Sequence, residues 1–198
     1  MNKYFLKESE VVLLVIDIQD KLIPVMKYGE QVIQNINTLI SAAKKLGAPI
    51  IVTEQYPKGL GKTVSEVSNN LEGSLTYEKS TFSGCTGEVT SALKGLGRKK
   101  IIITGTETHV SVFQMVRDLL DNGYQVFVVR DAVCSRTKEN YLNGLSLMTS
   151  MGAVETNTET VLFDLLKQSG TPLFRELSKL IKLRSNARSH SSLVRMSI

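Results

Sequence analysis

The stretch Ile101-Ile102-Ile103-Thr104-Gly105-Thr106-Glu107-Thr108-His109-Val110-Ser111-Val112-Phe113 decides how this chain folds. It opens as an uninterrupted β-branched apolar run, the pattern of a strand buried on both faces. Polar and small residues from Thr104 to His109 break the run. Apolar residues then recur at helical spacing (Val112, Met115, Val116, Leu119, Leu120) until Asn122-Gly123 ends the pattern. A buried strand that turns sharply into a helix offers backbone N–H groups and one side chain at the carboxyl edge of a sheet, where open α/β sheets bind ligands and do chemistry. That side chain is Ser111, which reads either as a nucleophile or as a helix N-cap.

Working outward, the same alternation repeats. Val11-Val12-Leu13-Leu14-Val15-Ile16 is a buried strand that runs into Asp17, Gln19 and Asp20. Helical spacing over 30–46 ends at Gly47, and Pro49-Ile50-Ile51-Val52-Thr53 makes a second buried strand. The segment Glu54-Gln55-Tyr56-Pro57-Lys58-Gly59-Leu60-Gly61 is rich in turn residues and reads as an irregular loop. A short strand is expected at 76–79 and a helix at 86–96. The central strand spans 99–104 and its helix 110–121. Next come a strand at 124–129, a helix at 138–151, a strand at 153–156 and helices at 159–168 and 172–183. Strands alternating with helices of this length predict βαβ units, and hence a three-layer α/β/α sandwich around a six-stranded, mainly parallel sheet. The expected division is one domain over 1–183 and a basic tail over 184–198.

Composition narrows the function classes. The chain has 198 residues, 42% of them hydrophobic and 22% charged, as in an ordinary globular domain. The longest apolar run, Val11 to Ile16, is far short of the roughly 18 residues of a membrane span, so no membrane partner is expected. The N-terminus is too short and too soon acidic for a secretory or transit peptide. Two cysteines, Cys85 and Cys134, make no disulfide framework, and an intracellular setting, cytoplasmic or mitochondrial, is expected. With only His109 and His190 available, a His-rich metal site is ruled out. No dinucleotide fingerprint or phosphate-binding loop occurs. Neither a metal nor a cofactor is expected. The net charge of +5 resides in the last residues: 178–198 carry Lys179, Lys182, Arg184, Arg188 and Arg195 with no acid, while 1–177 balance. Such a tail can contact phosphate, as in RNA, or an anionic membrane, or be simply solvated.

In a parallel sheet the carboxyl ends of the strands share one rim, so Asp17, Lys79 and Ser111 are candidates to meet there. A carboxylate near a hydroxyl can act as general base, and a lysine can stabilise that carboxylate. Each also has a plain structural reading: a cap for Asp17 and Ser111, a surface cation for Lys79. His109, two residues before Ser111, points elsewhere on a helix and reads as a structural or pocket-wall residue. Cys85 and Cys134 read as inert buried thiols.

Taken together, Val15-Ile16-Asp17-Ile18-Gln19-Asp20, the Thr53-to-Gly61 segment, Glu78-Lys79-Ser80-Thr81-Phe82-Ser83, Gly105-Thr106-Glu107-Thr108-His109-Val110-Ser111 and Asp131-Ala132-Val133-Cys134-Ser135-Arg136 resemble the isochorismatase-like hydrolases, most closely the isochorismatase domain-containing branch. The resemblance covers about 11–168. It implies an Asp-Lys-Cys site acting on amides or a vinyl ether, with Asp17 and Lys79 at the first two positions and Ser111 where the cysteine stands. It also implies an oxyanion site at a non-proline cis peptide, Thr106–Glu107, with the N–H groups of Glu107 and Ser111 as donors. Gln19, Gln55, Tyr56 and Phe82 are expected to line the pocket. Nicotinamidases of the family hold a metal through an Asp and histidines after the second strand, whereas this chain has Glu54-Gln55-Tyr56-Pro57 there. The expected activity is therefore metal-free hydrolysis of a small-molecule amide or related bond by a homo-oligomer, with apolar helices after Val161 as an interface. The alternatives are an RNA-binding or RNA-cleaving protein and a catalytically silent scaffold.

Overall fold

A computed structural model describes residues 3–181. Six strands form one sheet in the order β3-β2-β1-β4-β5-β6: β1 (Val11–Ile16), β2 (Ile50–Gln55), β3 (Leu75–Lys79), β4 (Lys100–Thr106), β5 (Gln125–Cys134) and β6 (Val154–Thr156). Every neighbouring pair is parallel, so the sheet is wholly parallel rather than mainly so. The helices are α1 (Gly29–Leu46), α2 (Pro57–Leu60), α3 (Ser65–Ser68), α4 (Gly87–Leu96), α5 (Phe113–Asp121), α6 (Lys138–Ser150) and α7 (Thr158–Leu166), then α8 over 172–181.

Alternation along β1 builds two cores. Val11, Leu13 and Val15 pack with α1 and α7 through Ile36, Ile40, Val161 and Leu165. Val12, Leu14 and Ile16 pack with α4, α5 and α6 through Leu93, Met115, Leu119 and Met148. A strand with both faces covered has to be apolar throughout, which is why its sequence shows a run and not an alternation. Helix α8 adds a satellite cluster in which Leu177 and Ile181 pack on Ala42 and Leu162. Gly47 ends α1 in the left-handed region, φ 67°, as a C-terminal glycine should.

Three local departures from the sequence reading have physical reasons. Strand β5 continues through Arg130 and Asp131 to Cys134, past the expected stop, with a shift in its register against β4 between Ile103 and Gly105. The polar pair is accommodated because Asp131 caps α7, accepting from the Thr158 N–H and hydroxyl at 2.8 Å, while its carbonyl accepts from Asn35. The expected loop after β2 contains α2, opened by Pro57 at its first turn. The helix after β4 begins as a π-helical turn, Thr108–Val112, before α5 proper. Among the described residues no helix is long and apolar enough to cross a membrane. The basic tail expected over 184–198 lies outside the described residues.

Candidate active site

Strand order brings the candidates together. The chain winds outward from β1 to β3 and returns to place β4 beside β1, so the carboxyl ends of β1 and β4 are neighbours at the point where the strand order reverses, the place at which open α/β sheets bind ligands. Asp17 follows β1, Ser111 follows β4, and Lys79 ends the edge strand β3. The lysine reaches back to Asp17.

The contacts are short and dry. Lys79 Nζ donates to Asp17 Oδ2 at 2.7 Å and lies 3.4 Å from Ser111 Oγ. Thr53 Oγ1 donates to Asp17 Oδ1 at 2.8 Å. Asp17 is 0% exposed, and Lys79 and Ser111 are each 5% exposed. Burial pushes the Asp17 carboxyl above the ordinary carboxylate range, against the opposing pull of Lys79, Thr53 and Ser111. Burial likewise pulls the Lys79 amine down, against the Asp17 carboxylate. An acid raised by desolvation yet hydrogen-bonded in its charged form has the character of a general base.

The turns that carry these groups are tightly specified. Asp17 itself has φ 51°, a left-handed conformation uncommon outside glycine. Gly105, with φ 125°, lets β4 approach β1 so closely that a Cβ there would lie 2.0 Å from the Ile16 carbonyl oxygen. Thr106 Oγ1 donates to the Asp17 carbonyl at 2.7 Å, tying the turn before Ser111 to the backbone of Asp17. The peptide bond between Thr106 and Glu107 is cis. On the outer side, Glu107 Oε2 accepts from Arg136 N and Nε, both at 3.1 Å, and His109 Nδ1 lies 3.0 Å from Ser135 Oγ. His109 thus faces β5 and not Ser111. Gly144 of α6 lies under the π turn, where a Cβ would come within 2.8 Å of the Thr108 carbonyl oxygen.

The four residues expected to line a pocket fall into two kinds. Tyr56 and Phe82 are 58% and 56% exposed and flank Lys79: Tyr56 N–H donates to the Lys79 carbonyl at 2.8 Å, and the Phe82 carbonyl accepts from Lys79 Nζ at 3.1 Å. Gln19 is 0% and Gln55 9% exposed, and their amides are committed to internal bonds. Glu54 is also used structurally, with Oε1 accepting from Thr63 N and Oγ1 at 2.8 Å and Oε2 paired with Lys62 at 3.1 Å. Both thiols are raised by burial, Cys85 to about 11 and Cys134 to about 12, with Asp118 and Glu107 adding to the effect. Burial thus favours the neutral thiol at both positions.

Sequence reasoning did not anticipate Thr53, whose hydroxyl orients the carboxylate. A threonine ending a buried strand is the one signal that could have suggested it. A cavity of about 1350 Å³ lies apart from these groups, between the start of α1 and the β5–β6 edge, with Tyr28, Arg130, Ser135, Tyr141 and Phe163 in its walls. Arg130 in its wall is paired with Glu155 at 2.8 Å, and none of Asp17, Lys79 and Ser111 lines it.

Known proteins share the family and the fold of this chain. Residues 11–160 match the isochorismatase domain. The chain is 42% identical to the secreted isochorismatase effector Isc1 of Phytophthora sojae over 86% of its own length and 84% of the relative's. Its structure is similar to that of a protein described as the MAR1 ribonuclease of Caenorhabditis elegans, with 38% identity, a TM-score of 0.85, and coverage of 89% and 92% of the two chains. It shares its fold with YcaC of Escherichia coli, an octameric hydrolase of unknown specificity, at 22% identity and a TM-score of 0.85 over 96% and 97% of the two chains.

Proposed function

The chain belongs to the isochorismatase family, and on that premise we propose that it is a hydrolase in which Ser111 attacks a small-molecule amide or a related C–N or C–O bond. Asp17 takes the Ser111 proton as general base and passes it to the leaving amine or alcohol as the substrate's C–N or C–O bond breaks. Water then releases the acyl group as its acid and restores the Ser111 hydroxyl, and Lys79 stabilises the carboxylate through the change. The N–H groups of Glu107 and Ser111, flanking the cis peptide, receive the oxyanion; such donors contribute about 10²–10³ each in rate. Tyr56 and Phe82 form the mouth. The observation that carries the reading is the buried contact set in which Lys79 reaches both Asp17 and Ser111, at 2.7 and 3.4 Å. A serine hydroxyl needs a base at the moment of attack, where a cysteine is partly ionised beforehand. A desolvated Asp17 supplies one.

Incubation with p-nitrophenyl acetate, followed by mass analysis of the intact chain, tests the assignment. An acyl adduct on Ser111 is expected in the native protein and its loss in Ser111→Ala. Equal turnover by both proteins sinks it.

A second reading is favoured by the likeness to a protein described as a ribonuclease together with the basic residues 184–198. RNA binding through that tail, treated as a segment separate from the domain 1–183, would weaken steeply with salt and vanish on deleting 184–198. Binding that survives the deletion places the footprint elsewhere. A homo-oligomer is part of the main proposal, supported by the octamer described for YcaC; light scattering should give a multiple of 21.9 kDa. Two free cysteines fit an intracellular setting, cytoplasmic or mitochondrial.

A further inference from the structure

The two buried glutamines beside the site do more than fill space. The side-chain amide of Gln19 behaves like a peptide unit laid against β2: its Oε1 accepts from Gln55 N at 2.8 Å, and its Nε2 donates to Gln55 O at 2.9 Å and to Gly61 O at 2.6 Å. The backbone of Gln55 is therefore held at both polar groups by one side chain. The side chain of Gln55 is held in turn, with Nε2 donating to Ser80 O at 2.9 Å and Oε1 accepting from Lys79 Nζ at 2.7 Å. Those bonds fix which end of the amide faces the lysine.

Lys79 Nζ consequently sits among five oxygens: Asp17 Oδ2, Gln55 Oε1, Thr81 O, Phe82 O and Ser111 Oγ, all within 3.4 Å. An ammonium has three N–H donors and no lone pair, so such a cage suits it. A neutral amine would turn a lone pair toward oxygen. Burial acts the other way on this amine and is the larger effect, and the bond to Asp17 opposes it. Asp17 is the charged group in direct contact. The nearby carboxylates of Glu54 and Glu78 are both engaged by Lys62, at 3.1 and 2.6 Å.

We infer that Gln19 and Gln55 form a two-step hydrogen-bonded relay that positions the Lys79 amine and keeps it protonated, so that Gln55 is a positioning residue and Lys79 is never the base. The inference deepens the hydrolase reading and rests on it only for its catalytic meaning; the relay itself can be tested without turnover.

Lysine-selective ¹⁵N labelling of the full chain follows the Lys79 ammonium through a pH titration. Loss of one hydrogen bond to a charged group in Gln55→Met should lower the Lys79 midpoint by about 1–2 pH units, or roughly 10–100-fold in proton affinity. Gln55→Glu should raise it, by offering a second carboxylate. Gln19→Leu should lower it by less than Gln55→Met does; an unchanged midpoint there overturns the first step. Unchanged midpoints in both Gln55 variants overturn the relay. Where a variant does not fold, the native protein still decides, because the Gln55 side-chain amide resonances should titrate with the Lys79 midpoint and silence there is contrary. Acylation by p-nitrophenyl acetate is measured on the same samples. A chain that shows the shifts without acylating loses the hydrolase reading and keeps the relay, and one that acylates with an unshifted Lys79 loses the relay.

Discussion

At the scale of single residues, the site is organised around a carboxylate that burial makes harder to ionise. Asp17 has its pKa raised above 3.8, first by desolvation, with Lys79 opposing. Two consequences of opposite sign follow. The folded state binds this proton more tightly than the unfolded chain, so the stability that Asp17 contributes is complete below its unfolded pKa and is lost as pH rises through the folded value. In the proposed mechanism acylation of Ser111 needs ionised Asp17, so its rate should rise with pH along a limb centred above the ordinary carboxylate range, and that limb should vanish in Asp17→Asn. A rate flat across the acid range in the native protein would remove Asp17 as the base. Thr53, which aims Oδ1 at 2.8 Å, is the residue whose Val substitution should lower the acylation rate while leaving Ser111 in place. Sequence reading reached Asp17, Lys79 and Ser111 because they sit at strand ends with chemically useful groups. It treated Gln19 and Gln55 as pocket lining because an amide's partners are set by distant backbone, invisible in the order of residues.

At the scale of elements, the turn that carries Ser111 is held from beneath. The π turn Thr108–Val112 rests on α6 at Gly144, where a Cβ would meet the Thr108 carbonyl oxygen at 2.8 Å. Gly144→Ala should force that turn to shift, costing about 1–3 kcal/mol in stability and reducing Ser111 acylation more than thermal stability alone explains. Gly105 is less forgiving, combining φ 125° with a Cβ position 2.0 Å from the Ile16 carbonyl oxygen. Gly105→Ala should cost on the order of 4 kcal/mol or more, read as loss of soluble folded protein or a collapse in urea midpoint. A near-native midpoint would mean that β1 and β4 have more room than the register between them implies. The strand-to-helix transition itself was legible from the run of isoleucines and the return of helical spacing. The π turn was not, because it differs from an α-turn by a single hydrogen-bond register that hydrophobic spacing cannot resolve.

At the scale of the whole molecule, α8 offers a control on what the site requires. Leu177 is 0% exposed and packs α8 against Ala42 of α1 and Leu162 of α7, on the layer away from the turn that carries Ser111. Leu177→Ala should destabilise by about 2–5 kcal/mol, a fall of roughly 2–4 °C in Tm per kcal/mol, with Ser111 acylation unchanged below the transition. Loss of acylation without loss of stability would tie α8 to the chemistry. Binary patterning determined the class and layering of this molecule: runs such as Val11–Ile16 are apolar throughout, β-branched and of strand length, and alternate with segments of helical spacing, as strands covered on both faces do. It also determined which strand ends carry acid, amine and hydroxyl. Only the tertiary structure decided that these three meet, because strand order within a parallel sheet depends on which crossovers pack. Here β3 lies at one edge and β4 returns beside β1. The same packing decided which way Lys79 reaches, how Gln19 and Gln55 are oriented around it, and that His109 turns toward Ser135 rather than toward Ser111. Periodicity reports which face of an element is buried. It carries no information about which buried polar group lies opposite, and at this site that pairing is the chemistry.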